Sequence, residues 1–500
     1  MASLFTRKPV TDLLFEEESS NSLRRSLGST DLIMLAIGAV IGAGIFGAIG
    51  SAAAGEINAS GEVIRYGAGP ALVLSFVLLG VVCGLAALCY AEIASMIPKA
   101  GSAYTYAYAT LGEMIAWIIG WDLILEYAVG NIAVAISWSG YFTSMLSGFG
   151  IDLPLWLTHG YRAAYISSDP AIHGLLETAP KIAGIPIILN LPAFAIVALI
   201  TWLLMLGVRE SARANTIMVI IKLLVLGLFI VVGLANLNLE NYKPFAPNGF
   251  TGIHQGAAIV FFAYIGFDAV STAAEETRDP QRNIPRGILG GLAICTLIYV
   301  LVGAVATGLV PYTELSGADP IAKALSMAGF NTVSWIVSLG AVISMTAVLL
   351  VFQYGQPRIF LAMARDGLLP KWAAKVHPKT RIPHYTTLAT GIFVALGSLV
   401  AEENEIYDLT NIGTLFAFAI VCIGVLVLRY KEPDRPRPFR VPFVWPVALL
   451  GAGACVFVMK GLPAHAWERF GIWLALGLLI YIVYGYRNSV LRRRANRVSQ

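Results

Sequence analysis

The stretch Leu35-Ala36-Ile37-Gly38-Ala39-Val40-Ile41-Gly42-Ala43-Gly44-Ile45-Phe46-Gly47 is apolar throughout, yet glycine keeps returning in it. Glycine costs an aqueous helix about 1 kcal/mol against alanine. In a membrane, small residues usually serve close helix packing, and Gly38, Gly47 and Gly50 read equally well that way. Gly42-Ala43-Gly44 is different, because it sits in the middle of an apolar run with almost no side chain. Unwinding there frees backbone N–H groups, which this depth tolerates only where they line a cavity.

The surrounding chain explains why a membrane is the right medium. Its 500 residues are 57% hydrophobic and 13% charged, with a mean hydropathy of +0.74. A soluble chain carries roughly 25% charged residues, so a soluble enzyme, a nucleic-acid-binding protein and a disordered chain are all excluded. The fold class is all-α polytopic. A span needs about 20 apolar residues, and windows of that length fall at 31–54, 69–96, 112–147, 189–208, 216–237, 256–275, 286–310, 331–356, 386–401, 406–428, 443–459 and 470–486. The third is long enough to need strong tilt or to be cut in two. Residues 1–30 mix acids, bases and serines and read as a cytoplasmic segment without a cleavable signal peptide. The five cysteines all lie in apolar runs, so no structural disulfide is expected. The six histidines lack metal-ligand spacing.

Lysine and arginine set the orientation. With both termini cytoplasmic, 26 of the 34 basic residues fall on the inner side and seven on the outer. The net charge of +4 then reflects basic inner loops. One basic residue is left over. Lys222 stands inside Ile217–Ala235, a run with no other charge, where an ammonium costs about 2.5–3.5 kcal/mol on insertion scales. Snorkelling favours helix ends, and Lys222 is further from an end than that favours. A functional buried amine is expected.

The sixth span repeats the theme of the first. Phe261-Phe262-Ala263-Tyr264-Ile265-Gly266-Phe267-Asp268-Ala269 places Gly266 mid-span beside one acid and among aromatics. Paired interrupted helices in corresponding positions point to a midplane site in inverted-repeat transporters. The expected organisation is therefore 31–237 as a first repeat of five spans with a long outer loop at 148–188, and 256–428 as an inverted second repeat. Two further spans at 443–486 and a basic tail at 487–500 complete it. The half-helix beginning at Gly42–Gly44 presents amides and positive dipole to a carboxylate. Carbonyls near Phe262, Ala263 and Ile265 suit an ammonium. Together they describe a site for an α-amino acid.

These residues resemble the amino acid–polyamine–organocation superfamily, whose members share the leucine-transporter-type fold. Ile41-Gly42-Ala43-Gly44-Ile45-Phe46 is similar to its carboxylate motif, and Phe262–Asp268 to its broken sixth helix. Glu275-Glu276-Thr277-Arg278-Asp279-Pro280 opens a stretch similar to its cytoplasmic loop. Gly120-Trp121-Asp122-Leu123-Ile124-Leu125-Glu126-Tyr127 and Met363-Ala364-Arg365-Asp366-Gly367-Leu368-Leu369-Pro370 resemble the cationic amino acid transporter branch, in its short twelve-helix bacterial form. The resemblance implies that Gly42, Ala43 and Gly44 bind the substrate carboxylate, and that Phe262, Ala263 and Ile265 hold the amino group. Ile41 and Met345 would complete the pocket, with Ser344 and Thr346 nearby on the eighth span. Lys222 occupies the position at which proton-coupled relatives carry an amine in place of a sodium site. A buried lysine is able to exchange its proton near physiological pH.

Specificity is less settled by the residues. Asp122 and Glu126, four apart, share a helix face and are candidates for a distal cationic charge or a proton relay, as is Asp268. The aromatic neighbours and Met345 read instead as apolar and small in volume. Glu275 and Glu276 read as a cytoplasmic gate. The expected activity is proton-coupled symport of small neutral L-amino acids such as alanine, with cationic ones left open, by alternating access across the cell membrane. No metal or organic cofactor is implied; a proton gradient drives the cycle, and the partners are the amino acid and the lipid bilayer. Exchange, or uniport of arginine or lysine, keeps the same fold. Lys222 argues against sodium coupling, since its ammonium repels the cation. A nutrient sensor and an intramembrane enzyme are the remote alternatives, the second lacking any HExxH motif or soluble catalytic domain.

Overall fold

Long uncharged runs with few breakers leave the chain one way to satisfy its backbone in lipid, which is helix. The structure, a computed structural model, describes residues 6–8, 27–97, 102–207, 212–378, 380 and 382–493. The spanning elements are α1, bent by 49° between Ser29–Val40 (α1a) and Ala43–Ala54 (α1b), α2 Gly69–Met96, α3 Glu113–Ser147, α4 Leu191–Met205, α5 Asn215–Ala235 and α6 Gly249–Ser271. They continue as α7 Pro280–Leu309, α8 Asn331–Arg365, α9 His384–Val400, α10 Glu403–Lys431, α11 Val444–Met459 and α12 Ala464–Arg493. Among the described residues, eight helices are long and apolar enough to cross a membrane, or nine with the bent pair as one span; α4, α9 and α11 are shorter. The protein is an all-α, multi-pass membrane protein, and each expected window overlaps one of these helices.

The third window is one continuous helix, relieved by a π-helical turn at Leu125–Val129. That turn adds a residue to the local repeat, and Asp122, just before it, and Glu126, inside it, remain within range of each other. Of the expected terminal segments, 1–5, 9–26 and 494–500 lie outside the described residues. The 148–188 loop, which shows no apolar periodicity, nevertheless folds. Its short helices Tyr161–Ile166, Pro170–His173 and Leu175–Thr178 enclose a small core of Ala164, Leu175, Ala179 and Ile188.

α2 lies along α7, α3 along α8, and α4 along α9, with α1a against α7 and α5. Buried ion pairs fasten the periphery. On the basic face, Glu92 of α2 accepts from Arg429 at 2.8 and 2.7 Å and from the Val441 amide at 2.7 Å. Glu113, opening α3, accepts from Arg492 at 2.8 Å and Tyr481 at 3.0 Å, which docks the end of α12. On the opposite face a hairpin, β1 Gly55–Ile57 and β2 Val63–Tyr66, follows α1b. Its Arg65 is buried and donates through Nη2 to both carboxylate oxygens of Asp408 on α10 at 2.8 Å.

Removing one partner of a buried pair strands the other, at about 3–5 kcal/mol. We expect Arg65→Ala to lower the thermal unfolding midpoint in detergent by far more than Lys243→Ala, whose exposed pair with Glu240 falls in the class worth ~0–1 kcal/mol. Equal midpoints for the two variants would contradict the role given to the Arg65–Asp408 clamp.

Candidate functional site

Breaking a helix leaves carbonyls at one lip and amides at the other, and α1 shows both. α1a ends at Val40; Ile41 is extended, Gly42 is not helical, and Ala43 already begins α1b. The break therefore lies one to two residues before the expected centre of Gly42–Gly44. Glycine at 42 and 44 still matters, though for different reasons. A Cβ on Gly44 would lie 2.2 Å from the Ala263 Cα, so backbone meets backbone where α1b crosses α6. A Cβ on Gly42 would meet only the Val348 side chain, at 2.9 Å.

The carbonyl lip is filled from three helices. The Lys222 ammonium, fully buried on α5, donates to the carbonyls of Gly38 and Ile41 at 2.9 Å each. Ser344 of α8 donates to the Ile41 carbonyl at 3.2 Å. The Tyr299 hydroxyl of α7 lies 3.0 Å from the Val40 carbonyl and 2.8 Å from that of Ala263, so it spans both broken helices. A cation at the C-terminal end of α1a also complements that half-helix's dipole. The amide lip is the reverse: Gly42, Ala43 and Gly44 donate to no acceptor among the described residues.

α6 tightens to a 3-10 turn at Phe261–Tyr264 and breaks at Ile265–Gly266, where Gly266 takes φ +108°. A Cβ there would sit 3.1 Å from the Ala39 carbonyl group, so the two breaks face each other. The carbonyls proposed for the amino group are only partly available. Ala263 serves Tyr299, and the Phe262 carbonyl accepts from the Ile265 amide at 3.3 Å. Ile41, Phe262, Ala263, Ile265 and Met345 are all buried around the two breaks. Thr346 turns away to accept from Trp138 at 2.9 Å, and Val348 is the α8 side chain beside Gly42.

The acids lie near one another. Glu126 lies beside Asp268 and Thr414 and within range of Asp122, neither of whose carboxylate oxygens has a hydrogen-bond partner among the described residues. Glu276 is exposed and makes no ion pair among the described residues; its backbone carbonyl accepts from the Leu27 amide at 3.0 Å. The Leu27 carbonyl accepts from the Arg278 amide at 2.8 Å, so among the described residues a short backbone bridge stands where the gate is expected. The Glu275 side chain lies outside the described residues. Among those described, no group of three His, Cys, Asp or Glu could hold a metal.

On the hairpin face a cavity of about 1070 Å³ descends to Gly47 and Tyr407. Its acids include Glu56, Asp319 and Glu402, whose carboxyls burial pushes above the ordinary range. The Tyr407 ring packs on Phe262 with centroids 4.6 Å apart, closing the cavity floor over the two breaks. Tyr299, Tyr407 and Val348 were not signalled by the sequence, since each sits in an apolar run where packing is the ordinary reading.

Two facing helix breaks around a buried amine are a transporter's architecture, and comparison with known proteins agrees. Residues 27–486 match the amino acid permease family. The chain belongs to that family. It is 46% identical over 98% of its length to the branched-chain amino acid permease BcaP of Bacillus subtilis, covering 99% of that protein. Identity to the methylthioribose transporter of the same organism is 44%, over 99% of this chain and 100% of that one. With the vacuolar cationic amino acid transporter 4 of Arabidopsis thaliana it is 36%, over 87% of this chain and 68% of that one. The permease is a multi-pass membrane transporter of the superfamily that the motifs resemble, not an enzyme, and amino acids are its substrate class.

The glycine contacts give a graded expectation for permease activity. Gly44→Ala drives a methyl into backbone and should reduce amino acid uptake by proteoliposomes by roughly fivefold to 150-fold, the scale of about 1–3 kcal/mol of overpacking. Gly42→Ala displaces only a side chain and should cost less. The reverse order would remove the α1b–α6 crossing as the reason for glycine at 44.

Proposed function

We propose that this permease is a proton-coupled symporter of neutral aliphatic L-amino acids, alanine among them, working by alternating access in the plasma membrane with both termini cytoplasmic. The observation that carries the reading is the Lys222 ammonium seated on the Gly38 and Ile41 carbonyls. The substrate carboxylate would take the open amides of Gly42, Ala43 and Gly44. Its ammonium would take carbonyl oxygen at the α6 break, with Ile41, Phe262, Met345 and Val348 against the side chain. That lining, and the branched-chain substrates in the name of the Bacillus relative, both favour an uncharged aliphatic group. The lengthwise pairing of α2 with α7, α3 with α8 and α4 with α9 supports reading 31–237 and 256–428 as two repeats.

The charge on Lys222 then acts as a lock. Protonated, it fastens α1a to α5 by two charge-assisted bonds, each worth about 1.5–3 kcal/mol. Loss of the proton toward the basic face removes the charge that both carbonyls were meeting. α1a is then free to swing from α7, and cargo and proton leave together. Asp268 and Glu126 lie on the basic-face side of the α6 break and suit a relay for that proton.

The test is uptake of labelled alanine and leucine into sodium-free proteoliposomes, with and without an inward proton gradient. Wild type should respond to the gradient. Lys222→Met should lose the gradient response while retaining counterflow of pre-loaded substrate. Wild-type uptake indifferent to the gradient would sink proton coupling and leave exchange. Strong block by unlabelled arginine would return Asp122, Glu126 or Asp268 to the substrate site.

A further inference from the structure

The cavity floor holds a carboxylate that the central site does not use. Glu403 opens α10, lines the cavity and is only half-buried. Its Oε1 accepts from Ser137 of α3 and from Tyr407. Its Oε2 accepts no hydrogen bond among the described residues. The arginines nearby are committed elsewhere, Arg65 to Asp408 and both Arg162 and Arg469 to Glu405. Glu403 has no ion pair among the described residues. Around it the cavity carries Glu56, Asp319 and Glu402 against Lys323, whose Nζ donates to the Ser316 carbonyl.

Tyr407 makes this carboxylate consequential. The phenol has one proton and three acceptors in reach, the Glu403 carboxylate, the Ser137 hydroxyl at 2.7 Å and, at 3.4 Å, the Ala43 carbonyl in the first turn of α1b. A charged carboxylate is the strongest acceptor of the three, and of the three it is the one the phenol oxygen stands nearest. A cation arriving at the open Oε2 of Glu403 draws the carboxylate's charge toward itself, weakens the phenol's bond to Oε1 and lets the phenol turn to α1b. A Cβ on Gly47 would lie 2.8 Å from Glu403 Oε1 and 2.7 Å from the Tyr407 oxygen, so α1b passes directly against the pair.

We propose that Glu403 is a substrate-binding residue: it receives the ammonium group of an incoming amino acid at the cavity floor, and in doing so releases Tyr407 to hold α1b. This rests on the transport reading above. An alkylammonium suits the place better than a bare metal ion. The wide cavity offers one free carboxylate oxygen, where a hard cation needs about six oxygens closed around it. An ammonium brings its own three donors and spends one.

The experiment titrates the full-length protein in detergent at pH 7 with n-propylamine, which is protonated there. Calorimetry reads the binding, and sodium chloride at matched ionic strength is the second arm. Wild type and Glu403→Asp should bind propylammonium, and Glu403→Gln at least tenfold more weakly, the scale of one charge-assisted bond. In proteoliposomes Glu403→Gln should raise the KM for alanine about tenfold, with Vmax far less affected. Tyr407→Phe should do the opposite, lowering Vmax while propylammonium binding stays. Equal propylammonium affinity in wild type and Glu403→Gln overturns the proposal. So does a sodium response that also depends on Glu403, since that marks a metal-ion site. If wild type transports no amino acid but its propylammonium binding needs Glu403, the transport reading fails and the site stands.

Discussion

Opening a helix in the middle of a bilayer is costly unless every freed backbone group finds a partner, each orphan costing several kcal/mol. α1 meets that constraint unevenly. Its carbonyl lip is filled from α5, α7 and α8 through Lys222, Tyr299 and Ser344. Its amide lip, at Gly42, Ala43 and Gly44, is left open among the described residues. The protein supplies the donors the carbonyls need and withholds the acceptors the amides need. In the proposed cycle the substrate carboxylate is the anion that meets these amides, and the positive end of α1b favours it there. The same inequality explains why the filling groups come from three different helices. Any motion of α1a must break contacts with α5, α7 and α8 together.

α10 plays the corresponding part on the hairpin face. In its first turns Glu405 gathers Arg162 from the 148–188 loop and Arg469 from α12, and Asp408 takes Arg65 from the hairpin. One turn further on, Asn411 donates to the Ala258 and Ile259 carbonyls just before α6 tightens, at 2.9 Å each. Loop, hairpin, α6 and α1b are thus all referred to one rigid helix. Glu403 and Tyr407 lie on the same stretch, which is why a ligand felt at the cavity floor reaches both broken helices.

What the sequence discloses and withholds follows from how each signal arises. Lys222 was legible because a charge in an uncharged span has no cheap explanation, and the glycines of α1 because they weaken a helix where nothing else asks for it. The position of the break was off by one to two residues, since Ala43 and Gly44 are needed as the first turn of α1b and not as its gap. The four-residue spacing puts Asp122 and Glu126 on one helix face, and the π-helical turn at Leu125–Val129, which nothing in the residues announces, leaves them within range of each other. Tyr299 and Tyr407 gave no signal because a tyrosine in an apolar run is usually packing. Glu403 gave none because an acid in a helix's first turn already has an explanation in the dipole.

The basic face shows why one proton is enough to matter. There the entry to α1a is held to the exit of α6 by the bridge of Leu27 with Glu276 and Arg278, two backbone hydrogen bonds at 3.0 and 2.8 Å. Such bonds contribute about 1 kcal/mol each, so the closure is of the same size as one or two charge-assisted bonds from Lys222. Had the face been closed by the kind of buried pair that Glu92 and Glu113 make elsewhere, the loss of a single charge at Lys222 would be too small to open it. The strong pairs instead fasten α2 to the α10–α11 connection and α3 to the end of α12, elements that serve as the frame. The weak bridge lies across the one helix that the proposed cycle requires to move.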